Sequence, residues 1–359
     1  MNLREVLTGA VVMGPMTKGS NLPYRRLCVE LGARVTVSEM TVARRLKQKR
    51  RAEFALIRRA ADEPCFAVQL AGTNPEEMGW AAALVESRGA DFVDLNLGCP
   101  IDHFTRKGLG AALSRQPARI GRIVGAMVNA VYSAPVTVKI RLGWNDKSRN
   151  YLDVARAAVD AGAQAVFVHG RTRDARYRHA AEWDAIAEVA AALPVPVVGN
   201  GDLLFGHEIA SARERAGCAG VMVARGALIK PWIFKEAVEG YRDLSADDRL
   251  AVYRRYVELA LEHWGDDEHG RSRAREFLVW HIGFWCRYAP RRDDGSFPTM
   301  QEREARREGA ATLEGVLARA DADAHEWLAD RLLAADEIVV RDVPKASAGE
   351  ARSTVEAAG

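Results

Sequence analysis

In the run Asn96-Leu97-Gly98-Cys99-Pro100 a cysteine directly follows a short apolar segment, in a loop rather than a helix. A free thiol ionises near ~8.5 and is mostly protonated at neutral pH, so it can hand a proton to a developing carbanion. With a base beside it, it can instead attack as a nucleophile. Other reactive residue types end other apolar runs: Pro15-Met16-Thr17, Ser38-Glu39-Met40, Gln69, Lys139-Ile140-Arg141, His169-Gly170-Arg171-Thr172, Gly199-Asn200-Gly201-Asp202 and Ala224-Arg225-Gly226. Lys139 could form a Schiff base or stay cationic and stabilise electron density on a flavin-like ring. Gln69 offers a donor and an acceptor to the edge of a planar heterocycle. His169 could orient a substrate or phosphate, or satisfy a buried hydrogen bond. The two glycine-containing turns let backbone N–H groups close on an anion, and Arg225 adds charge and a forked donor set. Neither turn has the dinucleotide or Walker spacing, so a stably held dinucleotide or nucleoside triphosphate is not indicated.

The elements that must position these residues are eight apolar, β-rich runs: Val11-Val12-Met13, Val35-Thr36-Val37, residues 66–70, 92–95, 136–140, 165–168, 195–198 and 220–223. Between them lie stretches such as 151–161 and 183–192, with apolar residues three and four apart, the helical period. Apolar strands alternating with helices imply parallel pairing. Eight such units in residues 1–241 predict a (β/α)8 TIM barrel, with Pro194 and Pro196 at a strand entrance. The carboxyl ends of all strands then share one mouth, which gathers the residues named above. From about residue 242 the pattern becomes helical, over 249–264, 271–288 and 314–333, and predicts a smaller all-helical domain over 242–343. Trp280, Phe284 and Trp285 stand at helical spacing and read as core. Residues 344–359, rich in Ala, Ser and Gly, read as a disordered tail.

The chain of 359 residues is 48% hydrophobic, which suits a large globular core and excludes collagen-like and low-complexity classes. No apolar run approaches the ~20 residues that span a bilayer, and the N-terminus lacks a cleavage pattern, so a soluble cytoplasmic protein is expected. Five cysteines, odd in number and without a C-x-x-C pair, argue against a zinc site or a disulfide framework. Cys28, Cys65 and Cys218 read as ordinary buried residues. No metal site is expected; Asp266-Asp267-Glu268-His269 reads as a solvated helix end. Residues 1–241 carry 33 basic and 24 acidic side chains, whereas residues 242–340 carry 15 and 21. The basic excess is densest over residues 44–51, a pattern that permits a nucleic-acid partner.

Asp94-Leu95-Asn96-Leu97-Gly98-Cys99-Pro100, followed by Lys107-Gly108-Leu109-Gly110-Ala111, resembles the signature of tRNA-dihydrouridine synthases. Pro15-Met16, residues 138–143, His169-Gly170-Arg171-Thr172, Asn200-Gly201-Asp202 and Arg225-Gly226 match that family in order, over about residues 7–232. Phe277-Leu278 and Cys286-Arg287-Tyr288 are most similar to the eukaryotic branch that modifies the tRNA variable loop, whose zinc-finger extension is not expected here. The resemblance implies an FMN-containing barrel that reduces the C5–C6 bond of uridine in folded tRNA, with NADPH as transient reductant. By resemblance, Pro15, Met16 and Thr17 line the ring of the flavin, Gln69 and Lys139 its polar edge, and His169 lies between flavin and substrate. Asn200, Gly201, Asp202, Ala224 and Arg225 hold the phosphate, although Ala224 stands where bacterial relatives have glycine. Asn96, Arg141 and Arg171 contact the uridine, and Cys99 protonates C5 after hydride arrives at C6. Arg254, Arg255, Arg287, Arg291 and Arg292 could meet tRNA phosphate from the helical side, and a monomer is expected. The alternatives are ribosomal RNA as substrate, an FMN barrel reducing a small molecule, and a catalytically silent RNA-binding protein.

Overall fold

The computed structural model describes residues 1–304 and 311–345. Nine parallel strands form its sheet: β1 (Val11–Met13), β2 (Val35–Val37), β3 (Thr41–Val42), β4 (Cys65–Ala71), β5 (Phe92–Leu97), β6 (Val136–Arg141), β7 (Ala165–His169), β8 (Val197–Asn200) and β9 (Gly220–Val223). Each main strand pairs with the next, β2 pairs with β4, and β9 returns to β1, which closes the sheet into the expected barrel. The strands are buried along nearly their whole length, because helices cover the outside and side chains fill the inside.

Three local differences from the sequence reading have physical causes. β3 is an extra strand: after Val37 the chain leaves β4 and rejoins it with Thr41 opposite Leu70. Across the gap the Ser38 hydroxyl accepts from the Gln69 N–H at 3.1 Å and replaces a ladder bond. The seventh main strand, β8, begins at Val197 rather than residue 195, because Pro194 and Pro196 have no N–H to donate. It also runs on through Asn200, just as β5, β6 and β7 run on through Leu97, Arg141 and His169. Asn96, Arg141, His169 and Asn200, expected after these strands, therefore belong to them and are held in sheet register.

The helical region contains Ala246–Trp264 and Glu268–Trp285, each starting three residues before its periodicity suggested, and the second ending at Trp285 rather than residue 288. The third expected helix is two, Leu313–Leu317 and Ala322–Ala334, because the Asp321 side chain accepts from the Ala324 N–H at 3.0 Å and starts a new helix. Most of the expected C-terminal tail, residues 346–359, lies outside the described residues. Among the described residues no helix is long and apolar enough to cross a membrane.

This region shares one apolar core with the barrel. The rings of Tyr253 and Trp285 stack at 3.9 Å, and those of Tyr24 and His281 at 4.0 Å. The Tyr24 hydroxyl donates to the Ala227 carbonyl at 2.9 Å, tying helix Leu22–Glu30 to the segment after β9. Trp280, Phe284 and Trp285 are buried, as their spacing implied. Because Trp285 stacks among three other rings at the seam, Trp285→Ala should cost about 3–5 kcal/mol. Chemical denaturation would measure it; a loss below about 1 kcal/mol would mean that the seam contributes little.

Candidate active site

One cleft of about 810 Å3, a volume that includes solvent at its mouth, opens at the carboxyl ends of the strands. Pro15, Met16, Thr17, Gln69, Asn96, Cys99, Lys139, Arg141, His169, Arg171, Asn200, Gly201, Asp202, Ala224 and Arg225 all line it. Every site residue named from the sequence is thus gathered in one place. Met40 lines it too, as its place at a strand end implied, whereas Tyr177 and Met300 were not anticipated. Tyr177 sits under Arg225, whose guanidinium carbon lies 3.8 Å from the ring centroid. An aromatic residue among Arg171, Arg173, Arg176 and Arg178 was the available signal for it.

The loop bearing Cys99 is held from three sides. The Asn96 side-chain oxygen accepts from the Gly98 N–H at 3.2 Å and the Cys99 N–H at 2.9 Å. The Arg141 Nε donates to the Gly98 carbonyl at 2.8 Å, and its Nη1 to the Thr172 carbonyl at 3.1 Å. The Ala111 N–H donates to the Cys99 carbonyl at 3.0 Å. Gly110 makes that last bond possible: at φ +60° a Cβ there would sit 2.7 Å from the Cys99 carbonyl oxygen. The paired runs 94–100 and 107–111 are therefore one structural unit, the second backing the first. Burial pushes the Cys99 thiol up, against the opposing pull of the Ile101 N–H, Arg141 and Lys139. The sulfur is a protonated thiol at neutral pH.

Positive charge crowds the same cleft, which Lys139, Arg141, Arg171 and Arg225 line. Lys139 donates to the Asn200 side-chain oxygen at 3.2 Å, and the Asn200 amide donates to the Met222 carbonyl at 2.8 Å. Burial, with Arg141 nearby, lowers Lys139 to about 8, and Asp94 and Cys99 oppose that shift. His169 falls well below the ordinary range through burial and the cations Arg141, Lys139, Arg171 and Arg225. Its Nε2 lies 3.3 Å from the Arg171 Nη1. A guanidinium only donates, so Nε2 accepts and the neutral ring carries its proton on Nδ1.

Asp202 answers part of this charge. It accepts from Arg171 at 2.5 Å, Arg225 at 3.1 Å, the Ala181 N–H at 2.8 Å and Gln301 at 2.9 Å. Arg171 is held further by the His179 carbonyl at 2.6 Å. The turns after β8 and β9 pack against each other at Gly226, where a Cβ would meet the Leu203 carbonyl oxygen at 2.0 Å. That glycine is needed first for loop-on-loop contact. Among the described residues no group of three or more His, Cys, Asp or Glu is arranged to hold a metal ion.

The family model for dihydrouridine synthase matches residues 11–282. The tRNA-dihydrouridine(47) synthase of Cryptococcus neoformans is 41% identical over 299 residues, covering 79% of this chain and 41% of that protein. The tRNA-dihydrouridine(47) synthase-like protein of Mus musculus is 42% identical over 287 residues, covering 79% of this chain and 45% of its own. The tRNA-dihydrouridine(47) synthase of Coprinopsis cinerea is 37% identical over 336 residues, covering 89% of this chain and 49% of its own. The chain spans half or less of the length of these curated relatives. By the extent of the match, the chain belongs to the dihydrouridine synthase family.

Proposed function

We propose that this protein reduces the C5–C6 double bond of a uridine in folded tRNA, with FMN as resident cofactor and NADPH as reductant. The observation that carries this reading is a neutral thiol, Cys99, on a loop held by Asn96 in a cleft that Lys139, Arg141, Arg171 and Arg225 also line. The names of the relatives make position 47 the first uridine to test.

The cleft's donor set suits a planar heterocycle that carries a phosphate. Among the described residues Lys139 makes one hydrogen bond, to Asn200, and its remaining N–H groups are available to a ring edge. Gln69 keeps one amide N–H and one lone pair beyond its internal bonds. Arg225 uses part of its fork on Asp202 and offers the rest, with the close-packed turns beside it, to a phosphate. In this reading Asp202 does not touch the phosphate, since like charges repel; it aims Arg225 and Arg171. Pro15, Met16 and Thr17 would border the ring, and His169, with its proton on Nδ1, would donate without adding charge.

FMN, when bound, supplies the hydride that reaches C6. The chain's own residues then do the rest. Asn96 and Arg141 hold the Cys99 loop, and the Cys99 thiol gives its proton to C5, where negative charge has built up. The resulting thiolate lies in the field of Lys139 and Arg141, which restrains its charge until solvent reprotonates it. The uridine has to leave its stack first, at a cost of a few kcal/mol. Tyr177 and Arg171 would border it.

The basic rim supports an RNA substrate over a small molecule. Arg44, Lys49, Arg50, Arg51, Arg106 and Lys107 are all exposed on segments that follow β2 and β5. On the helical side Arg255 is paired with Glu30 and Arg292 with Glu302, so contact there is more local.

Three outcomes are expected. Cys99→Ala should keep its flavin absorbance yet lose at least about 100-fold in single-turnover reduction of an unmodified tRNA transcript; undiminished reduction would remove the thiol from the mechanism. Turnover should decline as pH rises through about 8, where Lys139 loses its charge, and Lys139→Met should lack that limb; an identical limb in the variant would assign the titration elsewhere. The affinity for tRNA should fall steeply with salt, log K against log concentration having a slope of about −4 or steeper for five or more phosphate contacts; a flat response would exclude the basic rim.

A further inference from the structure

Asp94 has no task in the mechanism above, yet it anchors the barrel's interior polar chain. It stands two residues before Asn96 on β5, so both side chains face the barrel interior. In register it lies opposite Gln69 on β4 and Thr137 on β6. The Thr137 hydroxyl donates to one Asp94 oxygen at 2.7 Å, and the Gln69 amide donates to the other at 2.8 Å. The Gln69 oxygen accepts from the Asn96 amide at 2.6 Å. That leaves the Asn96 oxygen to accept from the N–H groups of Gly98 and Cys99. All four side chains are buried.

The chain has a direction, and of its four side chains only Asp94 has no choice of role; at the far end the Gly98 and Cys99 N–H groups, which only donate, require the same direction. Gln69 and Asn96 each carry a donor end and an acceptor end, and either could be turned over. An ionised carboxylate only accepts. Facing it, Gln69 must present its NH2, which turns its oxygen to Asn96. Asn96 must then present its NH2 to Gln69, which turns its own oxygen to the loop. We propose that Asp94 is the positioning residue that fixes the direction of this chain and thereby seats the Cys99 thiol. With a group at 94 that can also donate, a reversed chain becomes available, in which the Asn96 NH2 would face two backbone N–H groups, donor against donor. Burial pushes Asp94 up to about 6, against Gln69, Thr137 and Lys139, so the carboxylate prevails at neutral pH. The functional consequence rests on the reading of Cys99 as proton donor; the positioning itself does not.

The test moves the carboxylate along the chain. In Asp94→Asn/Asn96→Asp, residue 94 donates to the Gln69 oxygen and Gln69 donates to the carboxylate at 96. That carboxylate still accepts from the loop, and composition and net charge are unchanged. The full-length flavin-loaded protein is compared as wild type, the two single variants and the double variant. One readout, without RNA, is the rate of Cys99 alkylation by iodoacetamide located by peptide mapping, and the other is single-turnover reduction of a tRNA transcript. Asp94→Asn should change the alkylation rate by about fivefold or more and slow reduction by about tenfold or more, while retaining flavin absorbance. The double variant should bring alkylation back to within about threefold of wild type. Wild-type alkylation in Asp94→Asn, or a double variant no better than the product of the singles, would overturn the proposal. Should Asp94→Asn fail to fold, a folded, restored double variant supports the proposal and an unfolded one overturns it. If alkylation follows the expected pattern while Cys99→Ala keeps full turnover, the positioning stands and the proton-donor assignment falls.

Discussion

Four cations, Lys139, Arg141, Arg171 and Arg225, are drawn into one cleft, and Asp202 and Asp94 are carboxylates that answer them. Crowding like charges away from water is costly unless something negative completes the set. The strain is visible in the neighbours: His169 is kept neutral, Lys139 is pulled towards neutrality, and Arg141 and Arg225 are lowered chiefly by burial. In the proposed reading, an anionic ligand would relieve this crowding, a phosphate bearing a flat ring being the one considered. The same field has a second consequence for Cys99, where it opposes burial and makes a transient thiolate tolerable beside a thiol that is otherwise neutral.

That arrangement depends on barrel closure and on the helical region together. Closure brings the ends of β4 through β9 to one rim, in fixed register, so Arg141 stands beside His169 and His169 beside Asn200. The helical region then completes the wall. Met300 lines the cleft, and Gln301 reaches Asp202, the carboxylate that aims two arginines. The aromatic seam of Tyr24, Tyr253, His281 and Trp285 therefore supports the site as well as the fold.

The barrel was legible because its main strands are short apolar runs bounded by turn residues and separated by helical periods. β3 was not, because two residues rejoining a sheet leave no periodic trace; neither was the break before Asp321, which depends on one capping bond. The lining of the cleft was legible for a topological reason: in a closed parallel barrel the strand ends share a mouth, so polar residues there must meet. What each residue touches was not legible. That Asn96 caps the Cys99 loop, that Asp202 grips arginines and that Arg171 is held by a carbonyl depend on the folded loops: Asp202 meets arginines 31 and 23 residues away, whereas the other two side chains turn back on their own loops. Tyr177 escaped for a similar reason, since its place is defined by arginines from three strand ends.

Mapping dihydrouridine across total RNA from cells with and without this protein tests the proposed reduction of a tRNA uridine in this cleft. Without the protein, dihydrouridine should disappear from tRNA at a defined position, 47 first, and it should return when the protein is restored. An unchanged dihydrouridine map in both tRNA and ribosomal RNA would contradict it.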